Sequence, residues 1–141
     1  MLRFASVGLL ICLGTAGCGP TTSDVEGTVR YQGRPLAMGS VALHPPGHRP
    51  VVVTIGADGR FQAKGLPPGP VRVTVSSPDP AWQAEANREM ALMQGNEPPP
   101  PPAANYRDGW FAIPTRYRDP YQTDLTATLA VPTTTLDLDL K

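Results

Sequence analysis

Leu136-Asp137-Leu138-Asp139-Leu140 alternates without a fault, three leucines against two aspartates. Successive side chains of a strand point to opposite faces, so this pattern predicts a strand with one buried and one wet face. The same period of two recurs upstream. Val71-Arg72-Val73-Thr74-Val75 sets three valines against an arginine and a threonine. In the segment 25–31, Val25, Val29 and Tyr31 share a side, and in 125–131 so do Leu125, Ala127, Leu129 and Val131. Segment 40–44 turns Val41 and Leu43 inward, 51–55 (Val51-Val52-Val53-Thr54-Ile55) is β-branched throughout, and Phe61-Gln62-Ala63 adds a short piece. Between these runs lie Gly33-Arg34-Pro35, Pro45-Pro46-Gly47-His48, Asp58-Gly59, Pro67-Pro68-Gly69 and Pro132-Thr133-Thr134, each read as a turn or loop. Asp-Gly in particular accepts the positive φ angles of a tight hairpin. Seven short strands with one apolar face each predict an all-β chain folded as a two-sheet β-sandwich.

One segment breaks the pattern. Asp79-Pro80 reads as a helix cap followed by proline at the first helical position, and Gly95 suits the far end. A helix is predicted over 80–94, with Trp82, Ala86, Met90 and Met93 on one face. Five consecutive prolines at 98–102 form a polyproline II spacer. Tyr106, Trp110, Phe111 and Ile113 then cluster. The insertion, 79–112, is where a binding function is expected. The plain expectation is that Trp82, Met90 and Met93 lie against the sandwich, with Trp110 and Phe111 closing the same cluster. The sharper one is a binding surface of Trp82, Met90, Met93, Tyr106, Trp110 and Phe111. Aromatic and methionine side chains are enriched in the cores of protein interfaces, and Trp82, Trp110 and Tyr106 also suit stacking on a sugar.

The chain opens with Arg3, an apolar run from Phe4 to Leu13, small residues, and Thr15-Ala16-Gly17-Cys18. Charge, short apolar core and small-residue site make a secretory signal over 1–17. The run is about half of the roughly 20 residues that a spanning helix needs. Thr15-Ala16-Gly17-Cys18 resembles a bacterial lipobox, which implies that Cys18 is acylated and becomes the first mature residue. Residues 18–24 are then a lipidated tether and 25–141 the sandwich domain. Cys12 would leave with the signal, so Cys18 has no intrachain disulfide partner. The implied address is the cell envelope, held to a membrane by lipid and facing the periplasm or exterior.

Removing the first 17 of 141 residues leaves 124, enough for one domain. The whole chain balances 12 basic against 12 acidic residues. No basic stripe exists to neutralise phosphates, which argues against a nucleic-acid partner. An unrecognised hydrolase is the last alternative, but catalysis finds little footing. His44 and His48 are weak metal candidates, because Pro45-Pro46-Gly47 between them prevents a helix that would align them. Ser23, Ser40, Ser76 and Ser77 have no base nearby in sequence, and no Gly-x-Ser-x-Gly elbow is present. Asp137 and Asp139 share an outward face; they could assist a cation, but they serve more simply to keep a strand soluble. No cofactor is expected.

Several strings together resemble the carboxypeptidase-regulatory-like domains. They are Val25-Glu26-Gly27-Thr28-Val29, Gly33-Arg34-Pro35-Leu36-Ala37 with Gly39-Ser40-Val41, Ala57-Asp58-Gly59-Arg60-Phe61 and the run from Gly65 through Leu66-Pro67-Pro68-Gly69 to Val75. The segments 113–120, 124–126 and 136–140 are similar to small lipoproteins of planctomycete-type bacteria that carry this domain. The resemblance implies a transthyretin-like (prealbumin-like) seven-strand sandwich with an accessory or structural role and no catalytic residues. The expected partners are the membrane, through the lipid anchor, and another envelope protein or a glycan. The hydroxyisourate hydrolases, which are similar in fold, need several histidines and a Tyr-Arg-Gly-Ser ending; this chain has two histidines and ends at Lys141.

Overall fold

The computed structural model describes residues 19, 21–101 and 108–141. The signal segment 1–17, Cys18, Pro102 and Tyr106 lie outside the described residues. Each of the seven expected segments contains a strand: β1 (Ser23–Tyr31), β3 (Ser40–His44), β4 (Val51–Thr54), β5 (Arg60–Leu66), β6 (Gly69–Ser76), β7 (Thr126–Leu129) and β9 (Leu138–Leu140). Two short strands join them, β2 (Arg34–Pro35) and β8 (Thr133–Thr135), both in segments read as turns. Among the described residues, one helix, α1 (Pro80–Met93), and a 3-10 turn (Thr115–Arg118) complete the elements.

The strands form two sheets. In the first, β1 pairs antiparallel with β5 and β2 and parallel with β8 and β9. The second has the order β4-β3-β6-β7, antiparallel throughout. Between them lies one apolar core. The first sheet supplies Val25, Val29, Phe61, Ala63, Leu138 and Leu140; the second supplies Val41, Leu43, Val71, Val73, Val75 and Leu129. These are the inward positions that the period of two marks. The largest fully buried side chain is Tyr117, from the 3-10 turn. Its hydroxyl accepts the Lys141 N–H at 2.8 Å and lies 2.9 Å from the Lys141 carbonyl, so this buried ring fastens the last strand.

The turns follow their chemistry. Gln32 and Gly33 both have positive φ, 49° and 79°, as a two-residue hairpin turn between β1 and β2 demands. Pro67 and Pro68 carry the chain from β5 in the first sheet to β6 in the second.

The expected strand 136–140 is shorter, and the reason is local. Thr135 pairs with Glu26 and Leu138 with Val29 in the same register, but Leu136 and Asp137 leave the ladder between them. The Leu136 N–H still reaches the Glu26 carbonyl at 2.8 Å. Opposite the break, the Thr28 N–H donates instead to Asp137 Oδ1 at 3.2 Å. The backbone comes so close here that a Cβ at position 27 would collide with the Leu136 carbonyl. Glycine is the residue that permits this approach.

The sandwich has two distinct ends. Ser23, the β5–β6 turn and the β7–β8 connection lie at one: Ser23 pairs with Leu66, and its hydroxyl donates to the Ala130 carbonyl at 2.7 Å. The loop after His44 belongs to the same end, since His44 pairs with Arg72 towards the start of β6. Tyr31, Leu140, the β4–β5 turn and Ser76 lie at the other.

Gly27→Ala should force β1 and the 136–137 segment apart. Overpacking of this kind costs about 1–3 kcal/mol, and chemical denaturation should show an earlier midpoint. Gly33→Asn, at an exposed left-handed position with open space around it, should shift the midpoint far less.

Candidate functional site

The α1 insertion leaves the sandwich at the Tyr31 end. Asp79 caps the helix, its Oδ1 accepting the Ala81 N–H at 2.8 Å, with Pro80 in the first position. Gly95 ends it at φ 71°. The helix therefore stops one residue short of the expected 80–94. Its base is tied to the sandwich: the Trp110 indole N–H donates to the Ser77 carbonyl at 3.2 Å, and the Ser77 hydroxyl donates to the Met38 carbonyl at 2.8 Å.

The expected packing of the helix is corrected here. α1 buries none of its fourteen residues. Trp82 is 69% exposed, Met90 59% and Met93 78%. Trp110 and Phe111 do not close a cluster with them. Phe111 instead packs at the Tyr31 end, its ring 6.1 Å from that of Tyr31 and 4.4 Å below the Arg34 guanidinium. The proline run explains the geometry of the helix itself. Pro99, Pro100 and Pro101 flank a groove of about 490 Å³ whose other wall is Ala81, Ala84, Glu85 and Arg88. Those helical positions lie on the side opposite Trp82 and Met93 at 100° per residue. The prolines thus accompany the alanine side, and the Trp82, Met90 and Met93 stripe stays in solvent.

The histidines have ordinary roles. His44 Nε2 shares a hydrogen bond with Thr74 Oγ1 at 2.9 Å across the outer face of the second sheet. His48 sits in an exposed turn, its main-chain N–H donating to the Pro45 carbonyl at 3.2 Å. Among the described residues, no three His, Cys, Asp or Glu side chains converge as metal ligands would. Asp137 is committed to β1: besides the Thr28 N–H, it accepts the Thr28 hydroxyl at 2.7 Å. That hydroxyl bond holds the Asp137 carboxyl below the usual carboxylate range. Asp139 pairs with Arg30 in the parallel ladder and is exposed.

Two concavities were not visible in the sequence. One, about 650 Å³, lies along the outer face of the first sheet between Glu26, Thr28, Arg60, Gln62 and Asp137. The other, about 480 Å³, lies near the Ser23 end between His44, Pro45, Pro70, Arg72, Pro120 and Tyr121. In it the Arg72 guanidinium donates to the Pro120 carbonyl at 2.6 Å. Nothing in the local sequence around Tyr121 signals this placement, because the cleft is made by register between β3, β6 and β7. Among the described residues, no helix is long and apolar enough to cross a membrane.

No family model matches this chain, and no curated protein does. Solved structures similar to this chain include two DUF3823 family proteins. A DUF3823 family protein from Parabacteroides merdae ATCC 43184 is 23% identical, with a TM-score of 0.45 over 86% of this chain and 46% of that one. A DUF3823 family protein from Bacteroides ovatus ATCC 8483 is 15% identical, with a TM-score of 0.44 over 84% and 44%. The chain spans less than half the length of either structure.

Asp137→Ala should make the chain less stable at neutral pH. A lowered folded-state pKa adds stability that is present above the unfolded value, about 3.9 for aspartate, and is lost as pH falls through the folded value. Denaturation series should therefore show wild type and variant converging below that pH. Removal of 80–104 should leave the sandwich folded, because α1 contributes nothing buried; thermal melting should show one cooperative transition near that of the full chain.

Proposed function

We propose that this chain is a non-catalytic, lipid-anchored extracytoplasmic β-sandwich module with a structural or protein-binding role at the cell envelope. The observation that carries the reading is the spacing at the start. Cys18 of the lipobox-like Thr15-Ala16-Gly17-Cys18 stands five residues before Ser23, where β1 begins. A short polar tether between an acylated cysteine and a folded domain is the arrangement an anchored module needs. A cysteine carrying two or three acyl chains would be held durably, since one chain alone binds only marginally.

The finer assignment is a carboxypeptidase-regulatory-like, transthyretin-like domain of the planctomycete lipoprotein type. In its favour, the strings that carry the resemblance fall on β1, on the β1–β2 turn, on the β4–β5 turn and on the β5–β6 connection. The protein-binding role is supported by α1. Trp82, Met90 and Met93 are large apolar side chains held in solvent on a capped helix, the residue types that interface cores favour. A carbohydrate-binding module is the second reading, and the exposed Trp82 ring favours it. Trp110 serves it less well, because its indole N–H is already committed to Ser77.

Intact mass spectrometry of the mature chain from a bacterial host, with and without a lipoprotein signal-peptidase inhibitor, tests the anchor. The expected result is a chain starting at Cys18 with added diacylglyceryl mass, and loss of that processing under the inhibitor. An unmodified chain starting at Cys18 or later would replace the anchored module with a free secreted domain.

A further inference from the structure

We infer that the Ser23 end of the sandwich, made by the turns 45–50, 65–69 and 130–133, rests against phospholipid headgroups and holds α1 at the far end, away from the bilayer. This rests on the anchor reading and adds an orientation and a lipid contact to it.

The argument begins with reach. Five residues from Cys18 to Ser23 span at most about 17 Å when fully extended. The eight residues of β6, at about 3.3 Å per step, run roughly 23 Å from the Ser23 end to Ser76, where the insertion departs. The tether is shorter than the sheet is tall, so the domain cannot stand on its α1 end while Cys18 remains in the bilayer.

Charge then separates standing from lying on the first sheet. The outer face of that sheet carries Glu26, Asp137 and Asp139 against Arg30 and Arg60, a poor match for an anionic lipid surface. At the Ser23 end, Arg49 and Lys64 are exposed, as is His48 in the same loop as Arg49. The facing acid, Asp24, is half-buried, and its carboxylate is turned back to accept the Gly65 N–H at 3.0 Å. Arg72, nearby, is bonded to the Pro120 carbonyl. Cations left free beside an acid held by backbone suit the negative potential of phospholipid headgroups. Two apolar groups add to this. Val131 is 44% exposed in the β7–β8 connection, and Tyr121, 90% exposed, borders the cleft next to Pro45 and Pro70. A tyrosine ring with one apolar and one polar side fits the interfacial zone of a membrane.

The test uses the full chain, purified with its lipid and reconstituted into vesicles of phosphatidylethanolamine and phosphatidylglycerol. With Cys18 acylated and Cys12 removed, each introduced cysteine is the single free thiol. His48→Cys and Val131→Cys probe the Ser23 end, Thr54→Cys the other end of the second sheet, and Glu89→Cys the helix; all four positions are exposed. Each is labelled with a fluorophore, and quenching by headgroup-nitroxide lipid is measured. Quenching at 48 and 131 should exceed that at 54 and 89 several-fold, and Arg49→Glu with Lys64→Glu should reduce the difference. Equal quenching at 54 and 131 means that the domain lies on its side, and stronger quenching at 89 means that the helix meets the membrane; either overturns the inference. Mass spectrometry of the same samples separates the two readings. A chain lacking diacylglyceryl refutes the anchor and this orientation together, whereas a lipidated chain with the wrong quenching order refutes the orientation alone.

Discussion

Everything in the first sheet hangs on β1. This strand accepts β5 and β2 antiparallel and β8 and β9 parallel, and its Val25 and Val29 are wholly buried. A strand so surrounded must satisfy its main-chain groups on both edges. It manages this across the 136–137 break because Gly27 lets the Leu136 carbonyl come close and Asp137 supplies a carboxylate oxygen to the Thr28 N–H. Without those two side-chain choices, β8 and β9 could not share one register against β1. Tyr117 then closes the arrangement from outside the sheets by binding both main-chain groups of Lys141.

From that constraint follows the polarity of the molecule. The chain enters at the Ser23 end, where two of the four connections between the sheets, 67–68 and 130–132, also lie; the other two, 36–39 and 55–59, lie at the far end. The insertion departs from the opposite end, after Ser76. A β-sandwich places its loops in two clusters, so an insertion in one is remote from an attachment point in the other. For an anchored module, that separation turns a topological detail into a functional one: what is held and what is displayed sit at opposite ends of the same sheets.

The helix shows how capping and packing can separate. Asp79, Pro80 and Gly95 define α1 by local hydrogen bonding and backbone angles. Its Trp82, Met90 and Met93 side chains then face solvent, where a helix beside a core would ordinarily bury such apolar positions. The proline run takes the alanine side, where small side chains permit a close second segment.

Much of this was legible in the sequence. The period of two located every long strand and most of the inward valines and leucines, because alternation is a property of the extended backbone itself; Val131, read as inward with Leu129, instead lies exposed beyond the end of β7. Asp58-Gly59 and Asp79-Pro80 marked a turn and a cap by equally local chemistry. The candidate site was legible only as a list of residues. Spacing placed Trp82, Met90 and Met93 on one helical face but carried no information about which way that face would point. Phe111 was grouped with them by proximity in sequence, yet it stacks on Tyr31 beneath Arg34. Thr133 and Thr134, read with Pro132 as a turn, became part of a strand because Asp24, Val25 and Glu26 offered 133–135 a partner. Sequence thus determined the strands, the caps and the lipobox-like start, each governed by interactions among near neighbours. Tertiary structure alone decided the register across Gly27, the exposure of the helix and the opposition of the two ends, since those depend on contacts between residues far apart in the chain.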